Sequence, residues 1–208
     1  MSKPIPLQDY KENEKFDELK RGLDSNLYPL PKYIKRKLIL NLLIETALSV
    51  AIYHYYDQIL KIHRLLAPTL LGCSTGMLAQ SITQYSKHKL NYNKICKFAV
   101  WGSINGCFTV LWLDILFVRF DNMVYRILID QLVGAPLTQL VFNILNTLWD
   151  HGEIHPNTKA VYIKSLKYSY CFWPFFSIAS FIFIPTSLLF PANCLANLFW
   201  SLVLTRLG

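Results

Sequence analysis

The chain has 208 residues, 53% of them apolar and only 16% charged, with a net charge of +8. Soluble domains carry about 25% charged residues, and helices apolar on every side need lipid or a far larger protein around them. This argues against a water-soluble helical core of 24.2 kDa. The positive charge argues equally little for nucleic acid, because it is segregated along the chain and not gathered into a face or an arm.

Residues 1–37 hold nine Lys or Arg and six acidic residues, and no apolar core precedes Leu38. Transit peptides are poor in acids and secretory signals need an apolar centre. The segment therefore reads as a polar, solvated tail, punctuated by Pro29 and Pro31.

Five apolar runs follow, at 38–56, 65–85, 98–118, 127–149 and 171–190. Each is close to the ~20 residues a helix needs to cross ~30 Å of hydrocarbon. A sixth stretch, 191–207, is apolar but dotted with Asn and Ser. Backbone groups in lipid must be satisfied internally, so the spans are α-helices. None shows the polar–apolar alternation of a barrel strand. The fold class expected is all-α: a polytopic helical membrane bundle of about five transmembrane helices plus an apolar C-terminal helix. The single transmembrane domain covers 38–208.

The first run is anchored by Lys35, Arg36 and Lys37 and carries Glu45 about two turns in. A carboxylate at mid-membrane costs about 3 kcal/mol. Glu45 therefore faces other helices, or its helix lies less deep than drawn. The second run contains Gly72-x-x-x-Gly76 and the third Gly102-x-x-x-Gly106. Small residues one turn apart let helices approach closely in lipid, so these two runs are expected to pack together. Gln80 and Gln84 share a helix face, as do Gln139, Asn143 and Asn146 in the fourth run. Asn193, Asn197, Ser201 and Thr205 form a third stripe. An amide loses its hydrogen bonds against lipid, so the stripes face protein or water. They either join helices or line a wet path.

The fourth run also carries Asp130, Gln131, Gly134 and Pro136. Pro136 has no N–H to donate and presses on the preceding turn, so a kink is expected there. Pro174 and Pro185 mark two further kinks in the fifth run. On an ideal helix Asp130 points away from the Gln139 stripe, and one polar file forms only if the kink rotates the two halves.

Charge sets the expected topology. With five crossings, the segments on the N-terminal side hold sixteen Lys or Arg and the opposite segments five. This bias marks the cytosolic or matrix side, and it attracts anionic head groups. The five cysteines are odd in number and lack C-x-x-C spacing, so they read as small apolar fillers without a disulfide framework or zinc site. His151 and His155 are four apart but flank Gly152 and precede Pro156, with no further ligands in view. No P-loop, G-x-S-x-G or histidine box is present. No enzyme, cofactor, metal or nucleic-acid partner is expected. Membrane lipids and a second copy of the chain are the expected partners.

The stretch Asp130-Gln131-Leu-Val-Gly-Ala135-Pro136 resembles the D-Q-x-x-x-A-P signature of a family of small integral membrane proteins. Its members include the 22-kDa peroxisomal membrane protein and the mitochondrial inner-membrane protein Mpv-seventeen. Trp173-Pro174, Phe181, Pro185 and Trp200 stand at spacings matching the family's C-terminal segment. Gly102-Ser-x-x-Gly106-x-Phe108-x-x-Leu111 is similar to its glycine and aromatic stretch, and Gln80 and Gln84 to its earlier D-x-x-x-Q element. The resemblance covers roughly 56–205. The departures are Ser177 and Ser180 for a family Gln and Asn, Leu189 for an Arg, Arg64 for a Pro and Gln80 for an Asp. The run 38–56 is additional to the usual four spans.

The resemblance implies a channel-like or homeostatic role in an organelle membrane, mitochondrial or peroxisomal. Three functions are carried forward. The first is a small-solute pore with Asp130 and Gln131 near a mouth and Gln139, Asn143 and Asn146 on its wall, joined by Gln80 and Gln84. The second is a non-conducting structural or assembly subunit of a larger complex. The third is a proton-coupled transporter using Glu45, Asp114 and Asp130.

Overall fold

The computed structural model describes residues 32–154 and 158–207, with the backbone alone at 151 and 201–207. Residues 1–31 of the expected tail at 1–37, His155, and the side chains of His151, Ser201 and Thr205 lie outside the described residues. Every regular element among those described is helical.

Helix α1 (Lys32–His54) begins six residues before the apolar run. The stems of Lys35 and Lys37 can lie along the helix while their ammonium groups reach the head groups. Leu40, Leu43, Ile44, Leu48 and Val50 are exposed, whereas Leu38, Glu45, Ser49 and Ile52 are buried. Glu45 thus turns inward, with Ser81 of the third helix opposite it. A short helix α2 (Tyr56–Ile62) comes next, and its Tyr56 ring stacks on Phe190 at 6.3 Å between centroids.

Helices α3 (Leu66–Ser86) and α4 (Tyr92–Arg119) meet backbone to backbone. A Cβ on Gly72 would run into the carbonyl oxygen of Gly102, and one on Gly102 into that of Gly72. Gly76 lies equally close to the Phe98 carbonyl, and Gly106 to that of Pro68. Such contact maximises dispersion where lipid supplies no hydrophobic drive between helices. The connection between them is pinned by Gln84, which donates to the Asn91 carbonyl at 2.9 Å and accepts from its N–H at 2.7 Å.

Helix α5 (Met123–Ile129), capped by Asn122, runs through a π-turn (Asp130–Gly134) into α6 (Ala135–His151). Together these make one apolar element of 28 residues, Met123–Asp150. It ends at Gly152, whose φ of 74° is the left-handed conformation that glycine adopts freely at a helix C-terminus. The connection expected at 150–169 is largely helical: α7 (Thr158–Ser169) lies against α6.

The expected span at 171–190 is corrected. Helix α8 (Trp173–Phe183) has only 11 residues, about 16 Å. Pro185 interrupts it, a 3₁₀ turn (Thr186–Leu188) comes after, and α9 (Leu189–Leu207) starts within the expected run. Pro185 cannot donate a helical hydrogen bond, so the chain breaks there. Pro174 sits in the first turn of α8 and Pro136 in the first turn of α6, positions where the missing N–H costs least.

Side-chain contacts fix the direction of each pass. Asp150 pairs with Lys97 at 2.9 Å, and Trp149 donates to Asn93 at 3.1 Å, so α6 ends beside the start of α4. At the other end Arg64 pairs with Asp114. Thr158 lies by Thr147, Ser165 by Asn143, Ser177 by Asp130 and Phe181 by Phe117. Residues 158–183 therefore form one interrupted pass antiparallel to Met123–Asp150. Phe190 lies by Tyr56, and Asn197 lies with Gly76 and Trp101, so α9 runs parallel to α3.

Among the described residues, three elements are long and apolar enough to cross a membrane: Lys32–His54, Tyr92–Arg119 and Met123–Asp150. Helix α3 has the length but carries more polar residues. It lies between α1, α4 and α9, so protein and not lipid receives them. The same inversion holds throughout. Among the described residues, twelve polar or charged side chains are buried, while many leucines and isoleucines face outward. Water as solvent selects the reverse arrangement; a hydrocarbon solvent permits this one.

Candidate functional site: a polar and aromatic cavity inside the bundle

A cavity of about 400 Å³ lies between α3, α4, α6, α8 and α9. Along α4 it is lined from Phe98 to Leu113, about 22 Å of helix. From the other passes come Gln80, Asp130, Gln131 and Gln139, then Ser177 and Ser180, then Asn193 and Asn197. The aromatic lining includes Trp101, Trp112, Trp173 and Phe176.

Asp130 anchors one region of this cavity. Trp112 Nε1 donates to its Oδ1 at 3.0 Å, and Ser177 Oγ and Gln131 Nε2 donate to its Oδ2 at 2.8 and 3.0 Å. A carboxylate inside a bundle needs such partners. The π-turn supplies the geometry. The Ala135 N–H bonds to the Asp130 carbonyl five residues back, not to that of Gln131. The freed Gln131 carbonyl accepts from the Tyr170 hydroxyl at 2.9 Å. One residue inserted in the turn rotates the N-terminal half of the element by about 100° relative to the C-terminal half. That rotation brings Asp130 and Gln131 to the same cavity as Gln139, which a regular helix kinked only at Pro136 would not do. Gly134 is required at this point, because a Cβ there would stand 2.6 Å from Trp112 Nε1.

The remaining candidates serve elsewhere. Asn143 is 3% exposed, donates to Ser165 Oγ at 3.0 Å and to the Gln139 carbonyl at 2.7 Å, and joins α6 to α7. Asn146 is half-buried and does not reach the cavity. Gln84 holds the α3–α4 connection. Asp114 is paired with Arg64 and does not line the cavity. Reasoning from sequence missed Trp112, Ser177 and Tyr170, since nothing in their local spacing points to a partner 18 to 47 residues away.

A sequence model of the Mpv17/PMP22 family matches residues 144–205. Protein sym1 of Schizosaccharomyces pombe is 29% identical over 167 residues, 68% of this chain and 81% of the relative. PXMP2/4 family protein 3 of Dictyostelium discoideum is 26% identical over 173 residues, 78% of this chain and 94% of the relative.

The chain is similar to proteins of the Mpv17/PMP22 family.

Protein SYM1 of Candida glabrata is 33% identical over 91 residues, 42% of this chain and 43% of the relative. No solved structure matches. The segment matched by the family model holds the end of α6, all of α7 and α8 and most of α9. Ser177 and Ser180, the short replacements for a family Gln and Asn, are both buried on the cavity side of α8. Polar character is retained there in smaller side chains.

Proposed function

We propose that this chain is a channel-like component of an organelle membrane that gives small solutes a path through its helical bundle, and that it has no catalytic step. The observation that carries this reading is the cavity's shape and lining. It follows α4 for about two thirds of a ~30 Å hydrocarbon layer, with amides, hydroxyls and one carboxylate among aromatic rings. Amide and hydroxyl walls replace part of a solute's hydration without demanding a particular ion. The membrane is the mitochondrial inner membrane, with a peroxisomal or other organelle membrane as the alternative. The basic connections at 86–97 and 150–169 then face matrix or cytosol. Purified protein in planar bilayers is expected to conduct, and Asp130→Asn to change conductance severalfold. Silent bilayers containing folded protein would overturn the proposal.

A second reading, a non-conducting assembly subunit, draws support from Asn143. Its amide is used to join α6 to α7 and not to line a path. That reading requires migration with a larger complex on native gels in gentle detergent; migration at the size of a monomer or small oligomer rejects it.

A further inference from the structure

The chemistry around Asp130 points to one class of solute. Three side chains donate to this carboxylate, and each of its oxygens can accept about two hydrogen bonds. Oδ1 receives only Trp112, so one acceptor site remains open. Two neighbours add to it: Gln131 Oε1 and Ser180 Oγ are buried without a hydrogen-bond partner among the described residues. Unfilled acceptors in a low-dielectric interior are costly, and a ligand rich in donors satisfies them.

Charge points the same way. Lys87 is the basic residue among those lining the cavity, and it stands at the C-terminal end of α3, on the side of the bundle opposite to Asp130. Arg126, one turn before Asp130, is turned away: its Nε donates to the Phe120 carbonyl at 2.6 Å and its guanidinium lies 4.2 Å from the Phe117 ring centroid. Among the described residues, the bundle therefore supplies hydrogen-bond donors to Asp130 but no adjacent cation. The rings of Trp112, Trp173 and Phe176 line the same cavity; aromatic rings attract cations through their quadrupoles and offer apolar area to a flat body.

We propose that the cavity binds small organic cations, a protonated amine on an aromatic or aliphatic body, with the ammonium at Asp130 Oδ1, Gln131 Oε1 and Ser180 Oγ and the body against Trp112 and Phe176. This rests on the cavity being the solute path, but it concerns binding and not flux. An anionic solute of the same shape would meet the Asp130 carboxylate and is rejected. Cavities of several hundred Å³ hold ligands of this size.

The test uses full-length protein in nanodiscs of zwitterionic lipid, with empty nanodiscs subtracted. Three probes share one ring system: tryptamine (cation), tryptophol (neutral) and indole-3-acetate (anion). Binding is read by calorimetry. Tryptamine is expected to bind at least about tenfold more tightly than tryptophol, in keeping with hydrogen bonds to a charged group, and indole-3-acetate more weakly than either. Asp130→Asn should erase the preference for tryptamine over tryptophol. Ser180→Ala, a smaller perturbation of the fold, should reduce it severalfold. Equal binding of the three probes to the native chain, or a preference that survives Asp130→Asn in folded protein, would overturn the inference. Because no current is measured, cation binding in a protein that proves silent in bilayers leaves this inference standing while the channel reading falls. Conductance without charge preference in binding does the opposite.

Discussion

Asp130, Trp112, Gly134 and Ser177 act as one unit. The indole reaches the carboxylate only because position 134 has no side chain, and Ser177 completes the shell from a helix 47 residues away. Gly134→Ala is therefore expected to push the indole off Asp130 and to destabilise the protein by about 1–3 kcal/mol, the usual cost of overpacking. Thermal denaturation in detergent and a shift in tryptophan emission would report it; a variant matching the native chain in both would show that the contact is looser than drawn. The motif Asp130-Gln131-x-x-x-Ala135-Pro136 was legible in the sequence. Its partners were not, because hydrogen bonds across such separations leave no local spacing. The departures Ser177 and Ser180 are shorter than a Gln and an Asn, yet both are buried toward the cavity. A short hydroxyl on the right face does what composition alone undervalues.

At the scale of elements, the glycine pairs decide how closely α3 and α4 approach. The sequence located these helices well, and their residues 72, 76, 102 and 106 stand where the two backbones touch. Gly102→Val would set its Cβ against the Gly72 carbonyl, which is rigid backbone and cannot swing away. The helices must separate, at a cost of about 3 kcal/mol or more, and the cavity wall formed by Phe98, Trp101 and Asn105 moves with them. A melting transition as high as that of the native chain would contradict this. The π-turn at 130–134 and the break at Pro185 were harder to read. Proline announces that something happens to a helix, but whether the chain kinks, bulges or stops depends on which neighbours take up the freed carbonyl. Here Tyr170 takes that of Gln131, and it comes from a segment that reads as a connection.

For the whole molecule, contacts make successive passes alternate, with the starts of α4 and α7 and the end of α6 gathered at one face. Lys97 belongs to the basic connection at 86–97, yet it is 5% exposed and neutralised by Asp150, so the positive-inside bias is partly a tertiary contact. Labelling tests the arrangement. In a cysteine-free chain, Lys89→Cys and Glu153→Cys are expected to react with a membrane-impermeant maleimide from one side, and His63→Cys and Asp121→Cys only from the other. Reaction of Lys89→Cys and Asp121→Cys from the same side would refute the topology.

The sequence by itself determined that lipid is the solvent, that the chain is helical, and that its polar residues turn inward. Each of these derives from local quantities: run length, apolar content, and the cost of a bare amide or carboxylate in hydrocarbon. Only the tertiary structure decided which inward residues share a cavity, which amides merely join helices, and how α8 and α9 divide the last apolar stretch. Those outcomes depend on the relative rotation and depth of separate helices. A one-residue bulge shifts that rotation by about 100°, and no feature within a single helix encodes it.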